Sequence, residues 1–327
     1  MISTPFTRRF DLRFPIVSAP MGGVAGGHLA ATVSNAGALG MIGGGYGDLH
    51  WVEKQLNLVS ASTDRAWGIG FISWSLKPEV LQLALQFKPA AVILSFGSLQ
   101  PWAAQIKESG AALGCQVQDL QTARQAIDAG ADFLVAQGAE AGGHGGTLAT
   151  MPLVPSIVDL ASGIPVLAAG GIADGRGVAA AVCLGAQGAM LGTRFYASEE
   201  ALGHQDLKQE LVRCDASDTV KTQVFDVLRE YAWPESFTGR AIQNDFVRRW
   251  HSHTSELASR AAALMPAFTQ AQSSGDTSRA MVWAGECVSL VNGIESADAL
   301  VRRIGADAEA VLADATGASS TGPTYRR

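Results

Sequence analysis

Two glycine-rich turns have the residue types needed to bind a phosphate group. The first is Gly170-Gly171, directly after the apolar run PVLAA, and the second is Gly192-Thr193, which ends the next apolar run along the chain. Backbone N–H groups can approach a phosphate closely only where no side chain intervenes, so glycine suits this task. A tight turn without a ligand explains either pair alone. The two pairs together, after successive strands, predict a phosphate site.

A candidate catalytic residue is His144, which stands in the glycine-rich loop QGAEAGGHGG (137–146). Such a loop follows an apolar run and lets the side chain reach the end of a strand. Near neutral pH an imidazole can act as a base or as a hydrogen-bond donor. The competing interpretation is that His144 merely caps a turn. Glu140, in the same loop, is either its partner or a solvated charge.

Two further strand ends offer contacts for a flat, partly polar ligand. The turn APMGG (19–23) has backbone groups that can line an aromatic ring system, with Met21 packed against it, although a simple turn is the competing interpretation. Gln116 ends the run ALGCQV, where its amide can bond a polar ligand edge. The candidate ligand contacts in these two turns are Ala19, Pro20, Met21, Gly22 and Gln116.

Several other kinds of site are excluded by their spacing. His251 and His253 are two residues apart and would not share a helix face, so no metal site is predicted there. The cysteines form no CxxC pair. The sequence has neither a G-x-S-x-G elbow nor a Walker A motif, and no G-x-G-x-x-G that opens a dinucleotide-binding unit. We therefore predict no metal.

The elements that must position these residues alternate between strands and helices. Apolar runs that are almost continuous indicate strands covered on both faces, and the segments between them have helical patterns. Eight such units predict a closed (β/α)8 TIM barrel rather than an open sheet. The predicted strands are 15–20, 39–44, 67–72, 90–96, 112–117, 132–138, 165–171 and 188–193, and the helices are 26–36, 48–60, 78–87, 99–109, 119–129, 154–162 and 174–184.

After Phe195 the pattern changes to mostly helical segments with charges on their outer faces. We predict a barrel domain made of residues 1–203 and 275–327, and a smaller, mostly helical lid or substrate domain of residues 204–274. Within them, 199–214, 219–234 and 244–264 are predicted helices, as are the apolar segment 278–294 and a last segment, 296–315. The small, polar tail 318–327 is expected to fray.

Composition narrows the class of protein. The 327 residues include 24 Lys and Arg against 30 Asp and Glu, a formal net charge of −6, and no basic run longer than a pair. Nucleic-acid binding is therefore not expected. No apolar stretch reaches the length of a membrane span, and the N-terminal segment MISTPFTRRFDLRFP has no apolar core of signal-peptide length. The four scattered cysteines are typical of reduced thiols, which predicts a cytoplasmic protein.

Taken together, four motifs resemble those of the nitronate monooxygenase family, formerly called 2-nitropropane dioxygenases. They are APMGG, QGAEAGGHGG, AAGGIADGRG and GAQGAMLGTRF, and the resemblance extends over nearly the whole chain. The last three are also shared with FMN-dependent enoyl-ACP reductases, which are similar in fold and size. Phe71, Trp74 and Trp283 are candidates to face the substrate, but they match no family pattern.

The resemblance implies an FMN cofactor, held non-covalently at the carboxyl edge of a TIM barrel that carries a smaller helical domain. It implies that His144 is the active-site histidine. Some relatives have a lysine near the position of Gln116, which leaves the polar flavin contact at Gln116 open. The FMN contacts implied are Gly170, Gly171, Gly192 and Thr193 at the phosphate, and Gln116, Gln137 and Gly143 near the flavin.

The activity implied is oxidation of alkyl nitronates by O2 to carbonyl compounds and nitrite, via a flavin semiquinone. Where a neutral nitroalkane is accepted, the histidine would remove its α-proton; otherwise it would help to bind the nitro group. The alternative is an NAD(P)H-dependent FMN reductase of enoyl thioesters or quinones. The expected partners are the nitronate and O2, without nucleic acid or membrane, and a homodimer is left open.

Overall fold

The computed structural model describes residues 2–315 and 317, and its centre is a barrel of eight parallel strands. All eight predicted strands are present, in the barrel order β1-β9-β8-β6-β5-β4-β3-β2. The Ser18 N–H donates to the Leu39 carbonyl, the Leu39 N–H donates to the Ile16 carbonyl, and this parallel bridge of Leu39 to Val17 closes the ring. The strands are β1 (Ile16–Ser18), β2 (Gly40–Gly45), β3 (Trp67–Ile72), β4 (Ala91–Ser95), β5 (Ala112–Val117), β6 (Phe133–Gln137), β8 (Val166–Ala169) and β9 (Gly188–Leu191).

Helices surround the barrel and follow the predicted positions closely. They begin where the sequence supplies caps: the Asp48, Asp119 and Asp174 carboxylates accept backbone N–H bonds at the starts of α3, α6 and α8. The helices are α1 (Pro5–Arg9), α2 (Gly27–Asn35), α3 (Leu49–Ser62), α4 (Pro78–Gln86), α5 (Gln100–Glu108), α6 (Leu120–Asp128), α7 (Thr150–Ala161), α8 (Gly175–Cys183), α9 (Thr193–Tyr196) and α14 (Ala297–Ala315).

The barrel interior is a packed core rather than a channel. Inward-facing side chains such as Met41, Ile93 and Phe133 form one buried cluster. Phe6 and Phe10 of α1 contact the Phe133 ring edge-on and so close the end of the barrel opposite the carboxyl edge. A second cluster fills the layer between strands and helices. The carboxyl edge of the strands is therefore the open end at which loops can build a site.

A second region covers that edge, and it contains a small sheet that the sequence did not predict. The strands β7 (Gly143–Gly145), β10 (Thr219–Thr222) and β11 (Thr238–Ile242) form an antiparallel sheet in the order β10-β11-β7. Its helices are α10 (Gln205–Arg213), α11 (Val224–Leu228), α12 (Asp245–Trp250) and α13 (Thr254–Ser274). Because β7 belongs to the loop of His144, this sheet ties the second region directly to the barrel edge.

Two helix predictions are wrong. Segment 219–234 forms β10 and only a short α11, because its alternating β-branched residues pair with β11 and the chain then turns at Glu230, where φ is +55°. Segment 278–294 is extended at Val282 and Trp283, which lie along β11, and then forms a 3-10 helix over Glu286–Leu290. The predicted tail 318–327 lies outside the described residues.

Two absences hold for residues 2–315 and 317. Every helix in these ranges is too short or too polar to cross a bilayer. Within the same ranges, His, Cys, Asp and Glu side chains never gather in a group that would hold a metal ion. All four cysteines are free.

Candidate functional site

The two predicted glycine turns lie side by side at the carboxyl edge of the barrel. Gly170 and Gly171 follow β8 with φ values of +99° and +72°, a conformation that favours glycine. Gly192 follows the neighbouring strand β9 and precedes α9. A Cβ added to Gly192 would meet only Ala19 Cβ at 3.6 Å and Met21 Sδ at 3.8 Å. The turns therefore form a cradle that a side chain would otherwise fill, which suits a phosphate group.

Thr193 contributes to this cradle in a way that its motif did not indicate. Its hydroxyl accepts a hydrogen bond of 2.9 Å from the Gly285 backbone N–H. The side chain therefore anchors the segment that passes over the barrel edge. Its backbone N–H stands in the first turn of α9, where no intrahelical acceptor exists, and is the group left for a ligand.

The turn after β1 borders the same cradle. The Ala19 N–H donates to the Leu191 carbonyl at 2.9 Å, which joins the end of β1 to the end of β9. Pro20 fills the space above Gly70, since a Cβ there would lie 2.4 Å from Pro20 Cγ. Gly22 packs closely on Gly45. The predicted group Ala19, Pro20, Met21 and Gly22 is thus brought next to Gly192.

The two predicted glutamines have different surroundings. Gln137 is buried at the end of β6; its Nε2 donates to the His144 carbonyl at 2.9 Å, and its Oε1 accepts from Gln118 Nε2 at 2.9 Å. Gln137 therefore holds the histidine loop in place. Gln116 lies half-buried in β5 opposite Ser95, and its amide has no hydrogen bond to any residue that the structure describes. Gln118 was not singled out from the sequence, although it follows the same strand.

His144 lies in β7 directly opposite Gly239 of β11. Its Nε2 is 2.9 Å from Asp226 Oδ2, and the two side chains are only 7% and 5% exposed. Glu140 is not the partner of His144, because both Glu140 carboxylate oxygens accept from the Thr150 N–H at 3.0 Å. This contact caps α7, which therefore begins at Thr150 and not at residue 154 as predicted. Gly143 precedes the histidine with φ +70° and open space where a Cβ would stand.

Aromatic rings surround the histidine. The Trp233 indole stacks on the imidazole with ring centroids 3.5 Å apart and an interplanar angle of 4°, and Trp283 lies at 5.2 Å. Trp233 Nε1 donates to the Tyr46 hydroxyl at 2.9 Å. Burial raises the pKa of Tyr46 to about 12, against a smaller lowering by Arg229, so the phenol stays neutral. The imidazole of His144 therefore lies among aromatic rings, with the Asp226 carboxylate beside it.

Of the three aromatic residues predicted to face the substrate, two lie near His144 and one lies in the core. Trp283 touches the histidine, and Trp74 contacts Trp233 and Tyr46 edge-on, so both belong to the aromatic wall. Phe71 is only 2% exposed and fills the space above Gly44 in the core. Asp226 and Trp233 are the residues that sequence reasoning missed. They lie far along the chain from His144, and no local motif marks them.

The chain is similar in sequence and fold to several known proteins. A model of the nitronate monooxygenase family matches residues 3–76 and 74–307. Nitronate monooxygenase npaC of Metarhizium robertsii is 35% identical over 335 aligned residues, which cover 91% of each chain. FabK from Thermotoga maritima superposes with a TM-score of 0.87 at 29% identity, covering 98% of this chain and 100% of that chain. A nitroalkane oxidase from Streptomyces ansochromogenes gives a TM-score of 0.81 at 26% identity, covering 96% and 99%.

These matches confirm the predicted barrel and the predicted enzyme class. The family match covers most of the chain, including the glycine turns and the histidine loop. Fold alone would not decide function, because one barrel supports many reactions. Here the family model matches most of the chain and a curated relative is 35% identical over 91% of it, and the chain therefore belongs to the nitronate monooxygenase family of flavin-dependent oxidoreductases.

Proposed function

We propose that the protein binds FMN at the carboxyl edge of its barrel and oxidises alkyl nitronates with O2 to carbonyl compounds and nitrite. The observation that carries this proposal is the position of His144. It lies beneath an aromatic wall, in a loop fastened by Gln137 to the end of β6, on the same barrel edge as the glycine cradle. The family to which the chain belongs supports the same reaction class.

The cofactor proposal depends on the fit of the cradle to a flavin phosphate. Gly170, Gly171, Gly192 and the Thr193 backbone N–H would hold the phosphate. A Cβ at Gly171 or Gly192 would have no neighbouring atom closer than 3.4 Å, and Gly170 has the φ of +99° that lets the turn pass close to Gly138. Ala19–Gly22 and the free amide of Gln116 would border the ring system. When bound, the flavin would supply the electron transfer between nitronate and O2.

The chain itself would bind and orient the substrate. A nitronate carries negative charge on two oxygens, and the free ring N–H of an imidazolium is a suitable donor to one of them. Trp233 and Trp283 would pack against the alkyl part, since both rings lie against His144. The aromatic wall would also keep bulk water away, which strengthens hydrogen bonds and charge interactions inside the site.

The experiment is an anaerobic mixing of the purified holoenzyme with propyl-2-nitronate, and separately with NADH or NADPH. We expect the nitronate to remove the absorbance of the oxidised flavin, and admission of air to restore it with formation of acetone and nitrite. His144→Asn is expected to retain the flavin and lose most of this activity, because the nitronate loses its charged hydrogen-bond donor. Rapid bleaching by NADH or NADPH, with none by the nitronate, would instead favour the FMN reductase. A protein that takes up no FMN would contradict both.

A further inference from the structure

A buried hydrogen bond joins the histidine loop of the barrel to the second region. Asp226 Oδ2 lies 2.9 Å from His144 Nε2, and both side chains are more than nine-tenths buried. We propose, on the basis of the proposed function, that Asp226 is a positioning residue: it fixes the His144 ring so that Nδ1 is the nitrogen that takes the α-proton of a neutral nitroalkane.

The hydrogen bond determines which nitrogen is available. An ionised carboxylate can only accept hydrogen bonds, so Nε2 must carry a proton when it bonds to Asp226 Oδ2. His144 Nδ1 has no hydrogen-bond partner among residues 2–315 and 317, and it is not one of the fully enclosed unpaired atoms. The lone pair that can accept a proton from a ligand is therefore on Nδ1.

Asp226 is itself held firmly. Its backbone N–H donates to the Gln223 carbonyl at 3.1 Å, and its carbonyl accepts from the Tyr231 N–H at 3.0 Å. The adjacent Phe225 is fully buried in the apolar cluster of the second region. On the opposite side the imidazole is fixed by the stacked Trp233 ring. The second region therefore helps to set the ring plane of His144 through both Asp226 and Trp233.

The second carboxylate oxygen supports a role beyond structure. Asp226 Oδ1 is buried and has no hydrogen-bond partner. Within the described part of the chain no Lys or Arg forms an ion pair with Asp226; its partner there is His144. A carboxylate hydrogen-bonded to a histidine holds the imidazole in one orientation and stabilises the imidazolium that forms during proton transfer. Asp226 is placed to do this for His144.

The step proposed is a single proton transfer. The α C–H bond of the nitroalkane breaks, its proton moves to His144 Nδ1, and the electron pair passes to the nitro group to give the nitronate. The resulting imidazolium keeps its Nε2–H bond to Asp226. A substrate supplied as the nitronate has already lost this proton, so its oxidation does not need the step.

This difference provides the test. Holoenzyme variants would be assayed with 2-nitropropane and with propyl-2-nitronate, and kcat/KM compared for each. For Asp226→Asn, which keeps the volume and removes the charge, we expect the value for 2-nitropropane to fall about 10²-fold, the usual scale of general-base catalysis. The value for the nitronate should fall much less, because the nitronate needs His144 only as a hydrogen-bond donor and not as a base. Asp245→Asn, an exposed carboxylate of the same region paired with Arg248, should leave both unchanged.

A second measurement does not depend on turnover. The ¹H NMR spectrum of the holoenzyme should contain a slowly exchanging, far-downfield ring N–H resonance that is absent in His144→Asn and in Asp226→Ala. Thermal melting and flavin content of each variant would confirm folding.

The outcomes separate the two proposals. Equal losses with both substrates, or no loss with either, would overturn the positioning role of Asp226. The same holds if the wild type oxidises the nitronate but not 2-nitropropane. If the wild type oxidises neither, the proposed function fails, and the N–H resonance alone decides whether Asp226 holds the ring. Absence of the N–H resonance would overturn the proposal that Asp226 holds the His144 ring.

Discussion

The cradle side and the histidine side of the barrel edge are built from different kinds of contact. The cradle consists of backbone groups in the turns after β8 and β9, two neighbouring strands joined by one helix. The histidine side takes His144 from β7, Asp226 from α11 and Trp233 from the loop that follows. The cradle is thus encoded by short local motifs in the sequence. The surroundings of His144, in contrast, depend on side chains from distant segments that packing brings together.

The largest effect that would test this difference is expected at Gly192. Gly192→Val would place a side chain in the cradle, and the Cβ itself would have only ordinary contacts with Ala19 and Met21. We therefore expect loss of most bound FMN, and of activity with it, at an almost unchanged melting temperature. Flavin absorbance per protein and calorimetry measure both quantities. Gly293→Val, at a position with nothing within 4 Å of a Cβ, is the control. Full flavin content in Gly192→Val would disprove the cradle.

An intermediate effect is expected on the histidine side. Trp233→Ala removes the ring stacked on His144 but leaves the bond to Asp226. Aromatic stacking of this kind contributes about 1 kcal/mol, so kcat/KM should fall about fivefold while FMN stays bound. Steady-state assays with the nitroalkane and the nitronate measure this. Trp74→Ala is the matched control, because Trp74 contacts Trp233 but has no ring contact with His144. An equal loss in both variants would argue against a specific role of the stack.

The smallest effect is expected at Glu140, which connects the histidine loop with α7. Glu140→Gln weakens the charged cap on the Thr150 N–H, so the free energy of unfolding should decrease by about 1 kcal/mol. Turnover and flavin content should not change, because Glu140 does not contact His144. Chemical denaturation measures the first quantity. Glu108→Gln, an exposed carboxylate in α5, should have no effect on stability. A large loss of turnover in Glu140→Gln would place that side chain in the reaction after all.

The failures of sequence interpretation lie mainly on the histidine side. Glu140 was one candidate partner for His144 because it is near in sequence, yet its carboxylate caps α7. The segment that contains Asp226 and Trp233 was predicted to be one helix. In the structure, Thr219–Thr222 pair with β11, and the helix ends before Glu230. Strand pairing with a distant segment overrides a weak helical pattern, which is why the carboxylate beside His144 was missed.

On the cradle side, in contrast, the sequence interpretation was largely successful. All eight barrel strands and the turns at Gly170-Gly171 and Gly192-Thr193 were found from the sequence, and the structure brings these turns together as expected. Their contacts with FMN remain a prediction. The contact of Thr193 could not be predicted even on this side. Its hydroxyl accepts from the Gly285 N–H, and Gly285 belongs to a segment that was predicted to be helical.

By itself, the sequence determined the barrel, the glycine turns at its edge and the histidine loop. Apolar runs of strand length, capping carboxylates and glycines act over a few neighbouring residues, so their effect can be read locally. Only the tertiary structure decided which carboxylate and which indole face His144. Those contacts exist because Phe225 and its neighbours bury an apolar cluster that fixes α11 over the barrel edge, and such packing joins residues far apart in the chain.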